Sequence, residues 1–153
     1  MMDISRASGF PLERRSRWLL VAWSLLLLGG FFLAFWLDPD PRGFGTHQRL
    51  GLPPCTFRVL FQIPCPSCGM TTSFAHFSRG EFAAAWRANP AGLMLAILCA
   101  MQIPWCWWSA RRGRLLIVWQ PAETAMWLFL TVTGAALLNW LVQLVANRLA
   151  GGW

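Results

Sequence analysis

Cys65 and Cys68 stand three positions apart in the segment Ile63-Pro64-Cys65-Pro66-Ser67-Cys68-Gly69-Met70-Thr71-Thr72. Prolines stiffen this stretch and a glycine follows it. Such a knuckle can grip a metal, cycle between dithiol and disulfide, or staple a loop. Metal binding and nucleophilic attack both need the thiolate, which a helix N-terminus favours. A helix starting near Thr71 would set Cys68 beside such a terminus. Zinc asks for four donors, and the surrounding loop has Cys55, Cys65, Cys68 and His76, with His47 as a spare imidazole. The redox reading needs only Cys65 and Cys68, with Cys55 as a resolving thiol. The structural reading is a disulfide from Cys55 to one knuckle cysteine, formed in an oxidising compartment. The second Cys-x-x-Cys pair of a zinc finger is absent, which tilts the reading toward the stapled loop.

The elements that must position these thiols follow from hydropathy. The chain has 153 residues, 56% hydrophobic and 12% charged, against about a quarter charged in soluble domains. Three apolar runs are expected to cross a membrane, each near the roughly 20 residues that a helix needs: 18–37, 90–109 and 125–145. Asp38-Pro39-Asp40-Pro41 ends the first, since a residue before proline resists the α region. This run exceeds a signal-peptide core and lacks a small-residue cleavage pattern, so it reads as an uncleaved anchor. Pro104 is expected to kink the second run. Between the first two runs lies the extramembrane loop, 38–89.

Within that loop the first part, to about Pro54, is rich in proline and glycine and should be irregular. Cys55 to Ile63 is a short strand or helical turn. Thr71 to Phe77 is a short helix with Phe74 and Phe77 on one face. Ser78-Arg79-Gly80-Glu81 has capping-box spacing, and Phe77 and Phe82 flank it as a hydrophobic staple. A helix from Glu81 to Ala88 would set Phe82, Ala85 and Trp86 on one side, suited to the membrane interface or to packing on the bundle. Asn89-Pro90 closes that helix and opens the second run. After it come a basic turn (Arg111, Arg112, Arg114), a short apolar stretch 115–119 closed by Pro121, the third run, and a short tail from Asn147. The fold class is therefore an all-α integral membrane protein of three spans, with a cysteine-knuckle loop and short interfacial helices.

All thirteen basic residues are arginine and the net charge is +7. They lie in short clusters beside apolar runs, the pattern of insertion signals, and not on the basic face of a soluble fold, so no nucleic-acid partner is expected. The N-terminal tail, with Arg6, Arg14, Arg15 and Arg17, and the Arg111 turn are denser in arginine than the loop. That asymmetry sets the N-terminus in the cytoplasm and loop 38–89 outside it. Cys99, Gln102 and Cys106 share a face of the second span. The two thiols are two turns, about 10 Å, apart, too far for a mutual disulfide, and read as small apolar groups, while Gln102 should bond a neighbouring helix. Thr131, Ala135, Asn139 and Gln143 form a small and polar stripe on the third.

The loop resembles a family of bacterial membrane proteins catalogued as domain of unknown function 2752. The residues that carry the likeness are Cys55, the core Cys65-Pro66-Ser67-Cys68-Gly69-Met70-Thr71, Phe74, Gly80-Glu81-Phe82 and Asn89-Pro90. Members often have Thr-Arg where this chain has Thr71-Thr72, so a role of that arginine in binding an anion or partner would be lost here. The resemblance implies a bacterial inner-membrane protein and assigns no reaction. The expected function is a non-enzymatic accessory or scaffold protein with a cysteine-stapled outer loop, contacting lipid and other membrane subunits. The alternatives are a membrane thiol–disulfide or electron-transfer protein using Cys65 and Cys68, and a zinc-binding protein using Cys55, Cys65, Cys68 and His76. No other cofactor is expected.

Overall fold

A run of twenty uncharged residues has few partners for its peptide groups other than itself, and the helix satisfies them internally. The computed structural model, which describes residues 10–115, 118 and 120–149, has three such helices. They are α1 (Arg14–Trp36), α5 (Pro90–Arg112) and α6 (Pro121–Leu149), each long and apolar enough to cross a membrane. Three short helices lie between α1 and α5: α2 (Thr56–Phe61), α3 (Met70–Ser78) and α4 (Phe82–Ala88). A 3₁₀ turn, Thr46–Leu50, precedes them, and a two-residue ribbon pairs β1 (Phe10–Pro11) with β2 (Arg114–Leu115) in antiparallel register. Arg6, most of the stretch 115–119 and the end of the tail lie outside the described residues.

The helix bounds depart from the sequence reading at identifiable residues. α1 begins four residues earlier, because arginine is a good helix former and Arg14, Arg15 and Arg17 join its first turns. α5 runs unbroken through Pro104 and carries Arg111 and Arg112 in its last turn. Pro121 does not close the preceding stretch; it opens α6, as proline does at a first helical position whose N–H would have no partner anyway. Asn147 and Arg148 are helical, not tail.

The contacts divide the chain into two units, Met1–Gly30 with Leu98–Leu130 and Phe31–Ile97 with Thr131–Trp153. In the first, the ribbon joins the chain entering α1 to the chain leaving α5, and Leu12 N–H donates to the Gly113 carbonyl at 2.9 Å. Trp23 donates its indole N–H to Gln102 at 3.4 Å, so Gln102 does bond a neighbouring helix.

The second unit holds the loop. α3 packs on α4, and Ala75 and Ala85 are fully buried. Phe31 of α1 meets Phe74 and Phe77 at ring-centroid distances of 5.7 and 5.8 Å, which places both rings on the expected face of α3. Phe77 also meets Phe82 edge-on at 5.6 Å, so the staple contact forms. The capping box does not: Ser78 donates back to the Phe74 carbonyl, and Glu81 makes no cap bond but pairs with His76 Nδ1 at 2.5 Å. Arg79 instead closes the end of α1, donating to the carbonyls of Ala34 and Leu37 at 3.3 and 3.0 Å and to Asp38 at 3.3 Å. A cation there answers the exposed carbonyls of a helix C-terminus.

Candidate metal centre

Three thiols converge. The sulfurs of Cys55, Cys65 and Cys68 all lie within 4.8 Å of one another. Cys65 and Cys68 Sγ are 3.2 Å apart, and the Cys65 backbone N–H donates to Cys68 Sγ at 3.3 Å. Two local causes place the three thiols. Cys55 stands at the N-cap of α2. Cys65 and Cys68 are held in one turn, closed by the Cys68 N–H to Cys65 carbonyl bond at 3.0 Å. That turn ends at Gly69, whose φ of 83° needs glycine before α3 can start. A Cβ there would stand 2.5 Å from the Ala88 carbonyl oxygen and 2.7 Å from that of Gly43, so two other strands of the loop close directly on the knuckle.

Asn89 locks the arrangement. It is 2% exposed. Its side-chain oxygen accepts from Gly92 N–H at 2.9 Å, capping α5, while its amide donates to the carbonyls of Cys68 at 2.9 Å and Pro66 at 3.4 Å. Ser73 donates to the Ala85 and Asn89 carbonyls, and Trp140 of α6 donates its indole N–H to the Pro64 carbonyl at 2.6 Å. Thr72 is fully buried and its hydroxyl meets Thr46 Oγ1 at 2.8 Å, which in turn accepts from Asp40 N–H. Thr72 thus ties the 3₁₀ turn to α3.

The thiols open onto a cavity of about 590 Å³ whose wall includes Arg42, Phe44, His47 and Arg58. No carboxylate lines it. Arg42 is paired with Asp40 at 2.8 Å, and that guanidinium holds the Asp40 carboxyl down at about 2. Arg58 lies 3.4 Å over the Phe44 ring, and its buried Nε has no hydrogen-bond partner among the described residues. Burial would raise the Cys55 thiol, but the Arg58 N–H, the Cys65 and Cys68 thiols and the Phe57 N–H outweigh it and bring Cys55 below its ordinary value. Those N–H groups sit near the sulfur without closing a formed cap bond. Burial pushes Cys68 the other way, to about 12, and the Cys65 thiol adds to the rise against the Cys65 N–H. The expected activation of Cys68 by the α3 terminus is therefore overridden by burial, and Cys55 is the activated thiol.

This geometry bears on two expectations. The five cysteines stand as free thiols in this structure, and the sulfurs of Cys55, Cys65 and Cys68 meet with no two of them joined. His76 does not complete a four-donor set: it lies outside the cluster and its Nδ1 is engaged by Glu81. His47 lines the cavity without joining the cluster. Cys99, half-buried, and Cys106, buried, also stand apart from it. Asn89 is the site residue that the sequence reading missed. Asn-Pro before an apolar run marks a helix cap, but nothing local shows that the same amide reaches back 21 residues to Cys68.

The class that fold and site define is a helical protein with three helices able to cross a membrane and a three-thiol cluster in the loop between the first two. Residues 55–103 match the model of a family described as a protein of unknown function, DUF2752. The match begins at Cys55, contains the whole knuckle and Asn89, and ends inside α5. No curated protein and no solved structure matches the chain.

Proposed function

We propose that this is a membrane-anchored metal-binding protein whose loop holds a soft or borderline ion, zinc first, on Cys55, Cys65 and Cys68. The observation that carries the reading is the convergence of three sulfurs within 4.8 Å. Three thiolates with no carboxylate beside them suit zinc or copper(I) and not a hard cation. Arg58 and Arg42 on the cavity wall favour the negative charge that three thiolates would carry. Structural zinc sites are closed by four protein donors, whereas three donors leave a position for an outside ligand. The site is accordingly read as one that exchanges or presents its ion. The three apolar helices are read as the anchor in a bacterial inner membrane, with exposed Phe82 and Trp86 of α4 at the interface and the arginine-dense end in the cytoplasm.

A second reading has its own observation, the 3.2 Å between Cys65 and Cys68 sulfurs. Joining them would pass two protons and two electrons to the disulfide of a partner protein, which is reduced to two thiols. The test is cobalt titration of the reduced full chain in detergent. The metal reading expects one equivalent bound with an intense sulfur-to-cobalt absorption, lost in Cys65→Ser. A folded chain that binds no cobalt but cycles reversibly between dithiol and disulfide supports the second reading and overturns the first.

A further inference from the structure

The first unit holds a constellation that the thiol site does not use. Because the β1–β2 ribbon ties the chain before α1 to the chain after α5, the first turn of α1 and the last turn of α5 are brought to one place. A cavity of about 310 Å³ there is lined by Arg14, Arg17, Trp18, Trp107 and Arg111. A second, of about 440 Å³, shares Trp107 and Arg111 with it and adds Trp108 and Arg112. No acidic residue lines either one. Among the described residues, none of these four arginines takes part in an ion pair. Their surroundings hold them in place instead: Arg112 lies 5.4 Å over the Trp108 ring, and Arg17 packs so closely on Gly113 that a Cβ there would strike its guanidinium.

Four converging cations with no ion-pair partner among the described residues repel one another, and the positive end of the α1 macrodipole, with Glu13 just before the helix but no acidic residue in its first turn, adds to that field. An anion with several acceptor oxygens relieves both. The rest of the surface says which anion. Trp18 is 67% and Trp108 57% exposed, and bare apolar side chains continue from them along both helices, at Leu19 and Trp23 on α1 and Met101 on α5. A free phosphate would leave that surface uncovered. We propose that this cleft binds the headgroup phosphate of an anionic phospholipid, with the acyl chains along α1 and α5 and the tryptophans at the boundary between them. The inference is independent of the thiol site.

The test measures binding of fluorescent phosphatidylglycerol and phosphatidylcholine to the full chain in neutral detergent. The wild-type chain should prefer phosphatidylglycerol. Each arginine near a lipid surface is worth about fivefold in affinity, so Arg14→Gln with Arg111→Gln should weaken phosphatidylglycerol binding about 25-fold. Arg87→Gln with Arg148→Gln, which removes the same charge elsewhere, should change it less than about twofold. Arg14→Lys with Arg111→Lys should keep most of the binding, and it stands in if the glutamine pair fails to fold. Equal binding of the two lipids, or equal losses in the two glutamine pairs, overturns the proposal. So does full competition by inorganic phosphate at the lipid's own concentration, which would make the cleft a simple anion site.

Discussion

Arg79 and Arg111 both stand where a long helix ends, and they meet opposite fates. Arg79 is absorbed by its own chain, with three carbonyls and Asp38 around its guanidinium. Arg111 lies in a cleft of like charges and tryptophans, with no acidic residue on its wall. The contrast extends to the regions around them. In the loop, polar groups are satisfied internally: Asn89 serves Gly92, Cys68 and Pro66, Ser73 serves two carbonyls, and Thr46 meets Thr72. The Arg58 Nε, with no hydrogen-bond partner among the described residues, is an exception, and the three thiols face one another. At the arginine cleft the unsatisfied feature is charge itself. One region is shaped by the chain around a soft-donor cluster; the other is held ready for an anion from outside. What each leaves unpaired says what it would take.

If the loop is shaped by itself, its thiols must differ from one another before any ion arrives. A lowered thiol pKa gives thiolate at lower pH and a raised one delays it, so Cys55 should be alkylated before Cys68 as pH rises. With Cys68 near about 12, only roughly one part in a thousand is thiolate at about pH 9. Mass-spectrometric pH profiles of the metal-free, reduced chain read this directly, and equal profiles for the two would remove the electrostatic difference. The next largest effect belongs to Gly69. Alanine there keeps a φ of 83° and drives a Cβ into two carbonyl oxygens, so Gly69→Ala should cost about 3 kcal/mol in detergent unfolding. A loss under about 0.5 kcal/mol would mean the knuckle is not closed by Ala88 and Gly43.

Asn89→Ala removes a helix cap and the amide that holds the Cys68 carbonyl, with an expected loss of about 2 kcal/mol and faster alkylation of Cys68. Loss of stability with unchanged thiol reactivity would separate the cap from the lock. Arg42→Gln breaks an ion pair whose arginine is mostly exposed, so it should leave the unfolding midpoint close to that of the wild type. A larger effect would show that the loop depends on its charges as much as on its buried hydrogen bonds.

Much of this was legible from particular residues. Long uncharged runs favour helices, so the three long apolar helices were visible; their ends were not, because arginine extends α1 and a proline starts α6. Phe74, Phe77 and Phe82 declared their packing through helical spacing. The capping box failed because the carboxylate that should turn back onto the backbone found His76, and the same pairing draws that imidazole away from the thiols. Cys55, Cys65 and Cys68 were visible as candidates, but their convergence depends on how the loop closes. It rests on contacts 21 to 76 residues apart, Asn89 to Cys68 and Trp140 to Pro64, which no local pattern encodes.

The central claim, that Cys55, Cys65 and Cys68 act as one donor set for a metal, is tested most directly by counting protected thiols. The reduced full chain is loaded with one equivalent of zinc and challenged with an alkylating reagent, before and after a chelator. The account predicts that these three are protected together and released together by the chelator, and that Cys65→Ser exposes the remaining pair. Independent alkylation of the three thiols in the presence of zinc, with the fold intact, would contradict it.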